Sequence, residues 1–197
     1  MLFRSALERS RQALGRAEEL ADPFSRAIAL AYDAMLQQFC GTRDAVEEQA
    51  AAAIAVSTEY GFPYYLAWGT ILHGWAVAER GQVERGIAQM RESLAAMRAT
   101  GCDYRRSYYL SLLAQVCGRA GQIDEGLDLL QEALTSAEAS GEHWKDAELY
   151  RLRGELLAAS GAPTGEVRRM LQEAVDVASR QGATALVVRA ERSLQQL

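Results

Sequence analysis

The stretch AERGQVERG, residues 78–86, returns at residues 118–126 as GRAGQIDEG, with two glycines, a glutamine, a β-branched residue and an acid in register. A recurrence at a fixed distance of forty residues marks a chain built from one repeated supersecondary unit. Working outward from it, glycines stand at Gly41, Gly81, Gly121 and Gly161, and a second set at Gly61, Gly101, Gly141 and Gly182. The two sets interleave at about twenty residues, the length of one helix and its turn.

The segments between these glycines read as helices of two kinds. YYLAWGTILHGWAVAER, residues 64–80, is apolar almost all round, whereas VERGIAQMRESLAAMRAT, residues 83–100, carries a narrower stripe at Val83, Ile87, Met90, Leu94 and Met97. Glycine just past a helix end takes the left-handed conformation at little cost, and Pro23, Pro63 and Pro163 fall where helices begin. The unit is thus an antiparallel pair, an A helix and a B helix. A helices are expected near 23–40, 63–80, 104–120 and 144–160, and B helices near 43–60, 83–100, 123–140 and 164–181. Residues 2–20 match a B helix and residues 184–197 an A helix, so ten helices are expected in the order B-(AB)4-A. The fold class predicted is all-α, a right-handed α–α superhelix spanning residues 1–197 as a single repeat domain with half-repeats 2–20 and 184–197 and full repeats 23–60, 63–100, 104–140 and 144–181.

Equivalent positions carry the packing logic. Ala34, Gly74, Ala114 and Gly154 form a small-residue column in mid A helix, and Val46, Gly86, Gly126 and Val167 a facing column early in the B helices. A glycine inside a helix costs roughly 1 kcal/mol relative to alanine, so two at one repeat position predict close helix contact. Leu72, Leu112 and Leu152 then lock neighbouring units.

Composition narrows the functional classes. The 197 residues are 49% hydrophobic and 24% charged, with a formal charge of −5, which offers no general attraction to a phosphate backbone. Nucleic acid is therefore not an expected partner. Twenty of the 21 basic residues are arginine, Lys145 being the exception. No apolar run approaches a signal peptide or a membrane span, so no membrane partner and a cytoplasmic location are expected. Cys40, Cys102 and Cys117 are odd in number and lack CxxC spacing, which predicts buried thiols outside any disulfide framework.

Catalytic signatures are missing. No GxxxxGK[ST] or GxGxxG occurs, His73 and His143 stand seventy residues apart at inequivalent positions, and acid pairs such as Glu18-Glu19 and Glu47-Glu48 read as solvated helix faces. No enzyme activity, no cofactor and no metal are expected.

With these residues in place, a family resemblance is apparent. Ala114, Cys117, Gly121, Gly126, Leu130, Ala133 and Leu134 resemble the tetratricopeptide repeat (TPR), with three departures: a unit of forty residues instead of thirty-four, glycine where alanine is usual early in helix B, and glycine in place of the terminal proline. More narrowly, GFPYYLAWGTILHGWAVAERGQ (61–82) and HWKDAELYRLRGELLAASG (143–161) resemble the C-terminal repeat region of bacterial proteins that join a class III adenylate or guanylate cyclase to a P-loop ATPase, and of maltotriose-type sensor regulators. The resemblance implies a regulatory protein-interaction module in signal transduction, without the catalytic parts. The competing expectation is a small-molecule sensor that takes a sugar or metabolite in the same groove.

Two aromatic patterns bear on the site. Phe24, Tyr64, Tyr104 and Trp144 recur at forty-residue spacing in the first turn of each A helix, which reads as core or turn packing. Positions that line the inner surface in the resembled fold instead vary: Ile28, Trp68, Tyr108, Glu148; Ala31, Ile71, Ser111, Arg151; Met35, Trp75, Gln115, Glu155. Trp68, Ile71, Trp75, Tyr108 and Gln115, bordered by Glu79, Arg119 and Arg151, are the expected partner-binding residues, either as a patch for an apolar anchor or as aromatics buried between units. Finally, Leu186, Val187, Val188, Leu194 and Leu197 are more apolar groups than one buried side of the last helix requires, which predicts a homodimer through a terminal helix.

Overall fold

A computed structural model describes residues 4–197. Among the described residues there are ten α-helices, one short 3-10 turn and no strand. The helices are α1 (Arg4–Leu20), α2 (Pro23–Cys40), α3 (Arg43–Tyr60), α4 (Pro63–Glu79), α5 (Val83–Ala99), α6 (Arg106–Arg119), α7 (Ile123–Ser140), α8 (Asp146–Ala159), α9 (Thr164–Arg180) and α10 (Thr184–Gln195). Two compact units emerge, one ending at Asp103 and one beginning at Tyr104.

Helix ends follow the local chemistry. All eight interleaved glycines sit at positive φ, between 66° and 91°. At Gly41, for instance, φ is 73°, and the chain turns so that Gly41 N–H donates to the Gln38 carbonyl and Thr42 N–H to the Gln37 carbonyl. Helix starts depend on proline. Pro23 and Pro63 occupy the first turn of α2 and α4, and these begin where the repeat predicts. Positions 104 and 144 lack proline, and their helices begin late: α6 waits until Arg106 after Arg105 at φ 60°, and α8 follows a 3-10 turn over His143–Lys145.

In the first unit α2 pairs with α3 and α4 with α5, while α3 also packs on α4, α1 on α2, and α2 on α4. The core is built from small side chains of α2 and α3 (Ala27, Ala31, Ala34, Val46, Ala50, Ala53) against Ile71 and Leu72 of α4, with Ile87 and Met90 of α5 beneath. Each large apolar side chain buried this way contributes on the order of 1.5 to 3 kcal/mol. Pairings repeat in the second unit, α6 with α7, α8 with α9 and α9 with α10. There the methyl carbons of Leu156 on α8 lie where a Cβ on Gly118 or Gly126 would stand.

The facing small columns make the contact expected of them. A Cβ placed on Gly86 of α5 would lie 2.5 Å from the Gly74 carbonyl oxygen and 2.6 Å from Ala78 Cβ, both on α4. Backbone is in the way, so the helices must separate. Gly86→Ala is expected to lower stability by about 2 kcal/mol. Gly15→Ala in α1, where nothing lies within 4 Å, should raise it by roughly 0.5 to 1 kcal/mol through helix propensity alone. Urea unfolding of both variants checks the pair; equal effects would remove the close-approach argument.

Candidate functional site

The partner-binding residues expected from the sequence fall in both units. In the first, Trp68, Ile71 and Trp75 are buried, Trp68 to 1% and Trp75 to 5% exposure. The Trp68 indole lies edge-on to Tyr32 at 5.0 Å, stacks on Tyr65 at 6.1 Å and meets Tyr64 at 6.0 Å. These three residues are therefore packed inside the unit, which is the buried alternative of the two the sequence left open and not an exposed patch. The physical reason is that α4 is covered on three sides, by α2, α3 and α5, and an all-round apolar helix is what such a position demands. Glu79 stays half-buried at the end of α4, its carbonyl accepting from Arg43 Nη1 at 3.4 Å.

In the second unit Tyr108 is fully buried against Tyr109 and Trp144, with the Lys145 ammonium 5.3 Å from its ring centroid. Gln115 is half-buried and Arg119 exposed. Arg151, expected at a groove border, is instead buried in an ion pair. Its Nε and Nη2 donate to the two oxygens of Glu148 at 2.9 and 2.8 Å, and Nη1 reaches Glu155. Arg189 of α10 adds a bond to Glu148 at 3.0 Å, and Ser193 Oγ donates to Glu155 at 2.7 Å, so the cluster clasps α8 to α10. Burial by itself would raise the Glu148 pKa, but the hydrogen bonds and charge of Arg151, with Lys145 and Arg189 near, hold it at about 2. Burial pushes Lys145 down to about 8. With both cations and carboxylates engaged in holding helices together, this cluster is a structural clasp.

Of the core or turn packing expected for the aromatic column, the structure shows the turn alternative. Phe24, Tyr104 and Trp144 are each 40% exposed or more, and only Tyr64 is half-buried. They pack at the turns instead: Phe24 meets Phe62 at 5.2 Å and Tyr65 at 5.5 Å, and the Arg105 guanidinium covers the Tyr104 ring at 4.4 Å. On α10, Leu186 and Val187 pack against Ala147, Val177 and Ala178, while Val188 and, beyond the helix, Leu197 are exposed.

The open surface that sequence reading missed lies in the first unit, along α1 and α2. A trough of about 710 Å³ runs between them, lined by Ala6, Ala13 and Leu20 on one side and Ile28, Tyr32 and Met35 on the other. Arg9 and Arg16 stand on the α1 rim, Arg16 bonded to Glu19 at 3.0 Å. Its floor is tied by Ser10 Oγ donating to the buried Asp33 carboxylate. A signal for it was present. Laid forty residues on, Ala6, Ala13, Ile28, Tyr32 and Met35 become Val46, Ala53, Trp68, Leu72 and Trp75, all buried, while Leu20 becomes the exposed Tyr60; α1 has no A helix before it among the described residues. The second unit carries a polar hollow of about 720 Å³ between α7, α8 and α9, lined by Glu138, His143, Asp146 and Arg153 among others. Among the described residues no group of three or more His, Cys, Asp or Glu side chains is arranged to hold a metal ion, and no helix is long and apolar enough to cross a membrane. The three cysteines are free thiols, but only Cys117 is buried as expected; Cys40 and Cys102, close to helix-end turns, are half-buried.

Comparison with known proteins places the fold. No family model matches the sequence. An uncharacterized protein of Rhizobium meliloti (strain 1021) is 31% identical over 127 residues, which is 64% of this chain and 12% of that protein, so the chain spans a small part of its relative's length. Among solved structures, Bacillus thuringiensis PlcR in complex with the peptide PapR7 and DNA is similar with a TM-score of 0.76 at 12% identity, over 96% of this chain and 70% of that one. TPR-like repeats of a Podosopora anserina kinesin light chain are similar with a TM-score of 0.60 at 17% identity, over 89% of each chain. The chain has a TPR-like helical-repeat fold, as the resemblance of its residues to that repeat implied.

Proposed function

We propose that the chain is a non-catalytic protein-interaction module, the cytoplasmic regulatory repeat region of a bacterial signalling protein, acting as one repeat domain over residues 1–197. The observation that supports this reading best is the open apolar trough of α1 and α2, a surface suited to another polypeptide's apolar face and bare of paired acids, histidines or thiols that would do chemistry. A relative of which the matched stretch is 12% fits a repeat region inside a much longer protein, as the resemblance to cyclase and ATPase fusions suggests. Glu79, Gln115 and Arg119 remain open enough to take part in contacts, and self-association through the exposed Val188 of α10 and Leu197 just after it belongs to the same proposal.

The test uses the full chain and Ala13→Arg, which plants a charge on an exposed position of the trough without touching the core. Affinity retrieval from the native host should enrich a protein with the parent chain and lose it, by about tenfold, with the variant. Sedimentation of the parent chain reads out self-association in the same buffer. Should both chains retrieve the same proteins while a metabolite library raises the melting temperature of the parent alone, the sensor reading replaces this one.

A further inference from the structure

The polar hollow of the second unit has both walls and its floor within the chain: α7 and α9 flank it, and α8 lies beneath. Its floor is one face of α8, formed by Asp146, Tyr150 and Arg153 at helical spacing, with the Tyr150 ring resting on Ala147, Val177 and Ala178. Charge is sorted along it. α7 ends where α8 begins, so Glu138 shares one end with His143 and Asp146. α9 begins where α8 ends, and Leu171 lies against Gly154, so Arg169 shares the other end with Arg153. Glu166, one turn before Arg169, leaves two guanidiniums to one carboxylate there. Arg153 donates to Gln131 at 2.9 Å, while among the described residues Glu138 and Arg169 have no hydrogen-bond or ion-pair partner. Asp146 is 17% exposed; one of its oxygens accepts from His143 Nδ1 at 2.9 Å, and the other is wholly buried without a partner. Burial, with the carboxylates of Asp146, Glu173 and Glu138 near, raises the Tyr150 pKa against the opposing charge of Arg153, so the middle of the floor lies in a negative field. The repeat does not require these groups. Eighty residues earlier, in the first unit, Glu138, His143, Asp146, Tyr150 and Arg153 correspond to Thr58, Pro63, Leu66, Thr70 and His73.

We propose that the hollow of α7, α8 and α9 binds a small zwitterion, an amino acid whose ammonium and carboxylate stand several bonds apart. The ammonium pairs with Glu138 and Asp146, the carboxylate with the guanidiniums of Arg153 and Arg169, and the chain between them lies on Leu134, Tyr150 and Met170. This site goes beyond the interaction reading above and is separate from the α1–α2 trough. A volume of about 720 Å³ is of the size that small ligands occupy. Length follows from the helix: Asp146 and Arg153 are seven positions apart on α8, roughly 10 Å at about 1.5 Å per residue. The adjoining charges of an α-amino acid do not bridge that span. A diamine of the right length would set its second cation between two guanidiniums, and a dicarboxylate would set one end against Glu138 and Asp146, so opposite charges at the two ends are what the hollow accommodates.

The experiment titrates the full chain with ε-aminocaproate, hexylamine, caproate and cadaverine, followed by ligand-observed NMR. Expected is saturable binding of ε-aminocaproate with Kd on the order of 1 mM. The other three, each lacking or mismatching one charged end, should bind about tenfold more weakly. Arg169→Gln should bring ε-aminocaproate down to the affinity of hexylamine and leave hexylamine unchanged, whereas Glu138→Gln should weaken both. Both positions are exposed, so the variants should keep the circular dichroism spectrum of the parent. Absence of saturable binding by ε-aminocaproate, equal binding of all four compounds, or binding that neither variant alters overturns the inference. Tightest binding by cadaverine overturns it too, in favour of a site for dications. Ala13→Arg should leave this titration unchanged, so loss of a partner at the trough and failure of this site are read separately.

Discussion

Replacing Trp68 by alanine is expected to lower folding stability by about 4 kcal/mol, within the roughly 3 to 5 kcal/mol range for deleting a buried aromatic. The indole is enclosed by the rings of Tyr32, Tyr64 and Tyr65, and α4 carrying it is held by three neighbouring helices. Rings around the vacated space are rigid and anchored on two different helices, so they cannot close it by small rotamer changes. The hole remains, and its lining loses dispersion contacts as well as the burial of the indole. Urea unfolding followed by circular dichroism should show the midpoint falling with the slope unchanged. A Trp68→Ala chain as stable as the parent but deficient in partner retrieval would restore Trp68 to an exposed binding role.

Substituting glutamine for Glu148 carries the second large effect, about 3 to 5 kcal/mol at pH 7. The carboxylate accepts both forks of Arg151 and one bond from Arg189, with Lys145 buried beside it. A neutral amide leaves the buried Arg151 with Glu155 as its one remaining carboxylate and removes the charge that faces the buried Lys145. The sign of the pH dependence follows from the pKa. Folding lowers it from 4.5 to about 2, so the contribution is fully present above pH 4.5 and is lost as pH falls through that interval towards 2. Parent and variant should therefore differ at pH 7 and converge near pH 2. Arg189→Gln should cost less, because that side chain is half exposed and screened. A parent–variant difference that stays constant from pH 7 to pH 2 would point to packing instead of charge.

How far the site was legible in the residues differs by element. Arg151 and Glu148 were both recognisable as inner-face positions, but a buried salt bridge and a groove border look alike in one sequence, since both require a charge on an otherwise apolar helix. Lys145 gave a hint as the chain's single lysine, without any spacing that tied it to Glu148. The α1–α2 trough was readable only by comparison: Ala6, Ala13 and Ile28 look like ordinary core residues, and nothing in their own pattern says whether a helix covers them. The aromatic column left core and turn packing open because forty-residue regularity shows only that a position is structurally equivalent in each repeat. It does not show that the position is buried, and Phe24 and Trp144 cap turns at the surface.

What the sequence determined by itself is the set of elements. Glycine and proline act through the backbone of the residue that carries them, so eight turns and the starts of α2 and α4 could be placed without knowing what lay nearby. The forty-residue period likewise determined the alternation of A and B helices, because each unit must offer its neighbour the same apolar face. Which side of an A helix meets solvent was decided only by the tertiary structure. α4 is apolar all round, and the same side chains serve as an open groove or as a core according to whether another helix lies on them. Over α3 and α4 that helix is present, as α2, and over α1 and α2 the described chain supplies none. Burial belongs to the neighbour as much as to the residue, and a neighbour's position is not a local property of the chain.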